Sequence, residues 1–170
     1  MTAPSPWVLR FASHIPEGSD VLDLACGSGR HARLFLMTGH YVTALDKDID
    51  NLADIENLPG AEIIAANLED DSAFPLLGKQ YGGIIVTNYL HRPLLTLLPD
   101  LLIPGGALIY ETFMAGNERF GRPSNPNFLL RPQELLNSFC GKLNIIAYEE
   151  TIISDPKPAA VQRICATRLE

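Results

Sequence analysis

Short, nearly continuous apolar runs alternate along this chain with segments of helical spacing. Asp20 to Leu24 reads as a buried strand, apolar around Asp23. His31 to Thr38 places Ala32, Phe35 and Leu36 on one helical face, and Gly39 is its stop. Tyr41 to Leu45 is a second strand. Asp48 or Asp50 is placed to cap a further helix with Leu52 and Ile55 on its apolar face, and Pro59-Gly60 ends it. Ala61 to Ala66 is a third strand. Gly82 to Thr87 is a fourth, fit for a sheet interior because its apolar run is unbroken. A helix is predicted over Pro93 to Leu102, with Pro99 kinking it or ending it early. Pro104-Gly105-Gly106 reads as a turn before a fifth strand, Ala107 to Thr112.

A Gly-, Pro- and Asn-rich loop follows from Phe113 to Arg131, and loops of that length in compact domains are usually functional or mobile. Pro132 starts a short helix through Phe139. Leu143 to Ile153 and Val161 to Leu169 then read as strands joined by Ser154 to Pro158. Five β-α units in succession require parallel strands, whereas two adjacent strands joined by a short turn must be antiparallel. The predicted fold is therefore α/β: a Rossmann-like doubly wound sheet, mostly parallel, of seven strands with an antiparallel C-terminal hairpin. The whole chain, residues 1–170, reads as one domain.

Composition narrows the partners. Hydrophobic residues make up 46% and charged residues 19%, the balance of a globular protein. A net charge of −7 argues against nucleic acid as the main partner. No apolar run is long enough for a membrane span, and the segment from Met1 to Trp7 has no secretory pattern. Cys26, Cys140 and Cys165 are scattered and odd in number, which points to a reduced, cytoplasmic setting. No Cys/His spacing suits zinc.

The chemistry concentrates in Val21-Leu-Asp-Leu-Ala-Cys-Gly-Ser-Gly-Arg30 and the acid Asp46. A strand that ends in a glycine turn before a helix makes a nucleotide pocket at the carboxyl end of a parallel sheet. Gly27 and Gly29 permit close backbone approach, with Ser28 between them, or they simply make a tight turn. Asp46, at the tip of the second strand, is placed to accept from both ribose hydroxyls, a contact common to dinucleotides and to S-adenosylmethionine. Asp23 separates the two. A carboxylate beside a pyrophosphate is unfavourable, whereas the ammonium and sulfonium of S-adenosylmethionine are complemented by one. The alternative is that Asp23 caps the turn. Lys47 lies against the adenosine edge or is a surface lysine.

Beyond the third strand, Leu68 is a candidate apolar wall for adenine, with Asn67 or Glu69 as the acceptor for its amino group. Asn88-Tyr89-Leu90-His91-Arg92 follows the fourth strand, where a methyl acceptor should approach. Tyr89 is a candidate to shape the sulfonium slot. His91 is a candidate general base or a helix cap. Arg92 binds an anionic acceptor or is a surface charge. Glu111 and Thr112 reach the same neighbourhood from the fifth strand. Arg119, Arg122 and Arg131 line an acceptor cavity or pin the long loop.

These residues, with Gly39-His-Tyr-Val-Thr-Ala-Leu-Asp46 and Leu102-Ile-Pro-Gly-Gly-Ala-Leu, resemble class I S-adenosylmethionine-dependent methyltransferases, in particular small bacterial members of the tellurite-resistance type. The resemblance implies that Asp23, Ala25 and Gly27 line the aminoacyl and ribose side of the cofactor. It implies that Asp46 holds the ribose, that Asn67 and Leu68 face adenine, and that Asn88 borders the sulfonium. Many family members carry a longer N-terminal lid. Here Trp7, Phe11 and His14 form a reduced lid or pack on the sheet edge. Asn88-Tyr89-Leu90-His91 stands where amino-methylating nucleic-acid enzymes carry Asn-Pro-Pro-Tyr, which argues against base methylation.

The expected activity is in-line methyl transfer from S-adenosyl-L-methionine to a small molecule, an anionic one where Arg92 binds it, leaving S-adenosyl-L-homocysteine. A non-catalytic cofactor-binding module or partner subunit is the first competitor. An NAD-dependent oxidoreductase is the second, and it leaves Asp23 and the closing hairpin unexplained.

Overall fold

The computed structural model describes residues 3–169. Seven strands form one sheet: β1 (Asp20–Leu24), β2 (Tyr41–Asp46), β3 (Ala61–Ala65), β4 (Tyr81–Thr87), β5 (Leu102–Phe113), β6 (Asn144–Ile153) and β7 (Ala159–Thr167). Their order across the sheet is β3-β2-β1-β4-β5-β7-β6. The first five strands are parallel, and β7 runs antiparallel between β5 and β6. The predicted fold class is observed. The chain reverses direction across the sheet between β1 and β4, and ligands of such sheets bind at that switch point.

Alternation along the strands divides the core into two layers. Leu22, Leu24, Ile84, Val86, Leu108 and Tyr110 face one side, against Leu94, Leu98, Leu135 and Phe139. Val21, Val42, Ala44, Ile85 and Ile109 face the other, against Phe35, Trp7 and Phe11. Each Val, Leu, Ile or Phe side chain fully removed from water contributes roughly 1.5–3 kcal/mol. Gly83 has a packing reason on this second side, since a Cβ there would lie 2.6 Å from Ile15 Cδ1.

Four short helices decorate the sheet: α1 (Pro6–Phe11), α2 (Arg30–Met37), α3 (Arg92–Leu95) and α4 (Glu134–Phe139). Three expectations are corrected. The helix predicted after β2 is a 3-10 turn, Asp50–Leu52, followed by further turns, although Leu52 and Ile55 are buried as expected. No helix crosses between β3 and β4 either, where the connection is made of turns. Pro104-Gly105-Gly106 lies inside β5 rather than before it. There the pairing with β4 shifts register, and Gly105 N and Arg168 N exchange bonds with the carbonyls of Arg168 and Gly106 at 2.9 Å each. The extra residues are absorbed as a bulge. Pro99 does interrupt its helix, which continues only as a 3-10 turn, Leu98–Leu101.

The N-terminal segment packs on the sheet. Trp7 and Phe11 are buried, their rings 4.5 Å apart, while His14 is exposed. Of the two readings offered for these residues, Trp7 and Phe11 follow the packing one. Among the described residues no helix is long and apolar enough to cross a membrane.

Candidate functional site

The tips of β1, β2, β3 and β4 surround a cavity of about 610 Å³, within the range of cofactor sites. Ala25, Cys26, Gly27, Ser28 and Arg30 line it from the glycine turn. Asp46 and Lys47 line it after β2, Ala66 to Glu69 after β3, and Thr87, Asn88 and Tyr89 after β4. Phe128 completes the wall from the long loop. The predicted residues Ala25, Gly27, Ser28, Asp46, Lys47, Asn67, Leu68, Asn88 and Tyr89 are thus brought together.

Local backbone geometry explains how they point inward. Ala25 and Asn88 both take left-handed φ, at 53° and 56°, on opposite sides of the cavity. Such conformations cost of order 1–3 kcal/mol in a non-glycine residue and concentrate at functional sites. Asn88 N donates to the Glu111 carbonyl at 2.9 Å, and Tyr110 Oη donates to the Tyr89 carbonyl at 2.8 Å. These bonds hold the chain after β4 against β5. Asn67 Oδ1 accepts from Glu69 N at 3.1 Å, which sets the turn after β3.

Two carboxylates organise the glycine turn. Asp46 Oδ2 accepts from Gly27 N at 2.8 Å, and its Oδ1 accepts from Asp48 N at 3.0 Å, so the acid is oriented at the cavity edge. Asp23 lies behind the wall rather than in it. It is 1% exposed, and its Oδ2 accepts from Ala32 N at 2.8 Å. The capping alternative describes this contact. Ala32 N is one of the free amides of the first turn of α2, where a diphosphate would otherwise bind. Burial pushes the Asp23 carboxyl up to about 7, against the pull of the Ala32 amide and Arg30, with Asp46 adding to the rise.

Gly29 also stays out of the lining. It is buried at φ 70°, and a Cβ there would collide with Leu52 and approach Arg33 Nη1 at 2.9 Å. Its glycine is required by packing. Arg33 in turn bonds Asp54 through Nε at 2.9 Å and the Asn51 carbonyl at 2.8 Å, which braces the turn from outside.

The acceptor-side expectations fare differently. His91 does not line the cavity; it is the residue before α3, and its carbonyl accepts from Leu94 N at 3.0 Å. Arg92, expected to bind an anionic acceptor, is turned into the protein. Its Nε and Nη2 donate to Glu134 at 2.7 and 3.0 Å, and Nη1 and Nη2 donate to the carbonyls of Asn127 and Leu129 at 3.0 and 2.9 Å. Burial works to raise the Glu134 carboxyl, but Arg92 and the Arg131 amide outweigh it and hold it below its ordinary value. Glu111 is buried between Ser5 Oγ, which donates to Oε1 at 2.8 Å, and Arg163 Nε, 2.8 Å from Oε2. Thr112, Arg119, Arg122 and Arg131 are likewise absent from the lining, and Arg119 bonds the Gly116 carbonyl while stacking on Phe120.

Burial, with Glu69 close by, pushes the Tyr89 hydroxyl well above its usual value, and burial does the same to the Cys26 thiol. Both stay protonated at neutral pH. His31, overlooked by sequence reasoning, is buried with Nε2 accepting from Ser5 N at 3.0 Å. Burial, reinforced by Arg30, lowers it to about 3, so it stays neutral as a structural link to the N-terminal segment.

Cys26, Arg30, Ala66, Thr87 and Phe128 were missed as lining residues. Arg30 was detectable, because it directly follows the glycine turn. Phe128 had no local signal. Among the described residues no cluster of His, Cys, Asp or Glu suits a metal ion.

Residues 8–91 match the family model of tellurite resistance protein TehB. The resemblance first read from the motifs is borne out over that stretch. A search of curated proteins by sequence finds no match. Among solved structures, TehB from Haemophilus influenzae superposes with a TM-score of 0.79 at 19% identity, over 99% of this chain and 63% of that one. The chain therefore spans less than two thirds of that relative. A SAM-dependent methyltransferase from Methanosarcina mazei gives 0.73 at 15% identity over 99% of both chains. The 1,6-didemethyltoxoflavin-N1-methyltransferase from Burkholderia thailandensis, solved with 1,6-didemethyltoxoflavin and S-adenosylhomocysteine bound, gives 0.71 at 17% identity over 97% of this chain and 77% of that one. At these identities the superpositions establish a shared fold.

Proposed function

We propose that this chain is an S-adenosylmethionine-dependent methyltransferase acting on a small molecule. The observation that carries the reading is the cavity at the switch point, with Asp46 oriented at its edge and Asp23 capping α2 behind it. A dinucleotide is disfavoured by the same arrangement, because the α2 amide that would meet a diphosphate already bonds a carboxylate. The family match and the bound S-adenosylhomocysteine of the Burkholderia relative support the same cofactor.

In this reading Asp46 accepts from the ribose hydroxyls. Asn67, Leu68 and Glu69 border the adenine, and Lys47 covers its outer edge. Gly27 and Ser28 give backbone approach beside the aminoacyl group, and Arg30 supplies the cation for its carboxylate. Ala25, Thr87, Asn88 and Tyr89 surround the sulfur. The cofactor, when bound, supplies an activated methyl on a positive sulfur. The protein's part is to orient the two partners and to keep water out, and effects of that kind account for several kcal/mol of barrier lowering. With the Tyr89 hydroxyl held protonated, His91 outside the lining and Arg92 paired with Glu134, none of the three predicted catalytic side chains offers a base at the cavity. The acceptor then reacts through a free lone pair.

That same lack favours one competing reading, a module that binds the cofactor without transferring its methyl. Incubation with tritiated-methyl S-adenosylmethionine and a metabolite extract separates the two. Labelled product of low mass supports the enzyme; cofactor binding without any labelled product supports the module.

A further inference from the structure

Phe128 is 49% exposed, and it is the one phenylalanine in the wall of the cavity. It arrives there on the turn Pro126–Phe128. Asn125 sets that turn: its Oδ1 accepts from Asn127 N at 3.0 Å and its carbonyl from Phe128 N at 2.9 Å. Arg92 then bonds the carbonyls of Asn127 and Leu129, the residues on either side of Phe128, while Glu134 fixes its other edge. A single guanidinium thus ties the segment after β4 to the long loop at the point where the loop presents its ring. Four hydrogen bonds from a planar fork leave little freedom for that ring's backbone.

Charge around the cavity is uneven. Its lining cations, Arg30 and Lys47, follow β1 and β2. The lining residues contributed by β4, its following segment and the long loop are Thr87, Asn88, Tyr89 and Phe128, and none carries a full charge. Of the nearest cations in sequence, Arg92 is consumed by Glu134 and two carbonyls, and Arg131 lies outside the lining. An anion placed against Tyr89 and Phe128 would lose its water without gaining a cation, and Glu69 close to Tyr89 would repel it, which is costly. A flat neutral molecule would instead cover the exposed aromatic surface.

We infer that Phe128 is the acceptor-facing wall of this cavity, that Arg92 positions it, and that the acceptor is a neutral small molecule with a flat apolar face. This rests on the cofactor reading given above. The test uses the full chain saturated with S-adenosylhomocysteine, with quinoline as the neutral probe and benzoate as the anionic one, both followed by saturation-transfer NMR. Calorimetry with S-adenosylhomocysteine runs in parallel on the wild type, Phe128→Ala, Phe128→Tyr, Arg92→Gln and the double variant Phe128→Ala/Arg92→Gln.

The wild type is expected to bind quinoline at least about tenfold more tightly than benzoate. Phe128→Ala and Arg92→Gln should each lose about tenfold in quinoline affinity, and Phe128→Tyr should stay within about threefold. The double variant should be no weaker than Phe128→Ala alone, because Arg92 acts through Phe128. Affinity for S-adenosylhomocysteine should stay within about threefold throughout, a selectivity that general loss of structure would not give. Equal binding of benzoate, or no binding of quinoline by the wild type, overturns the acceptor class, and unchanged quinoline binding in Arg92→Gln overturns the role of Arg92. Unchanged quinoline binding in Phe128→Ala, or loss of both ligands in step, overturns the role of Phe128. A wild type that binds quinoline but no S-adenosylhomocysteine strikes the cofactor reading itself, and this inference falls with it.

Discussion

Asp23→Asn probes a buried carboxyl whose ionisation the fold strongly disfavours. The wild-type carboxyl is 1% exposed and titrates at about 7, chiefly because burial penalises its charged form. In the unfolded chain it titrates near 3.8. Between those two values the folded protein keeps a proton that the unfolded chain has released. Stability from this group is therefore greatest at low pH, declines as pH rises through the window, and levels off above the folded value. Each unit inside the window costs about 1.4 kcal/mol. Moving from about pH 6 to about pH 8.5 crosses only its upper end, so this group should cost about 1.4 kcal/mol over that range. Asparagine has no proton to lose, and its amide oxygen can still accept from Ala32 N. Summed over the window, and less about 1 kcal/mol for the weaker hydrogen bond, Asp23→Asn should be more stable than wild type by roughly 3–4 kcal/mol at high pH. Urea unfolding monitored by Trp7, the chain's one tryptophan, measures both quantities. An equal pH slope in the two proteins, or a less stable variant at high pH, would refute the reasoning.

Three further changes test the scaffold. Gly29→Ala must hold a Cβ at φ 70° against Leu52 and Arg33, and should lose about 2–4 kcal/mol by thermal or urea unfolding. Ala25→Gly relieves a left-handed φ of 53° and should gain up to about 1 kcal/mol, because unfolded-state entropy offsets part of the relief. Trp7→Ala empties a 2%-exposed site and removes the indole N–H bond to the Ile164 carbonyl at 3.3 Å; it should cost about 3–5 kcal/mol, measured by circular dichroism.

Where the sequence was legible, one strong local signal sufficed. Val21 to Leu24, Asp23 apart, with Ile84 to Val86 and Ala107 to Tyr110, are apolar on both faces, and only strands buried from both sides need that pattern. The short Ser154 to Pro158 connection similarly required antiparallel neighbours. The segments between β2 and β4 were misread because Leu52 and Ile55 satisfy helical spacing and 3-10 spacing alike. Pro104-Gly105-Gly106 has turn composition, yet β4 on one side and Arg168 on the other keep it within a strand. Gly27 and Asp46 were legible as site residues because a strand tip fixes where its next residues point. Asp23 was legible as chemistry but not as position, since alternation along β1 turns it toward α2. Arg92 and Phe128 depend on contacts across the long loop, for which local pattern carries no information.

Isothermal calorimetry of S-adenosylhomocysteine with the wild type and Asp46→Ala tests the central claim most directly. The account predicts saturable binding to the wild type, weakened by roughly 2–4 kcal/mol, or about 30- to 700-fold, when the two ribose contacts are lost. A wild type that gives no binding heat with S-adenosylhomocysteine yet binds NAD, or an unchanged dissociation constant in Asp46→Ala, would contradict it.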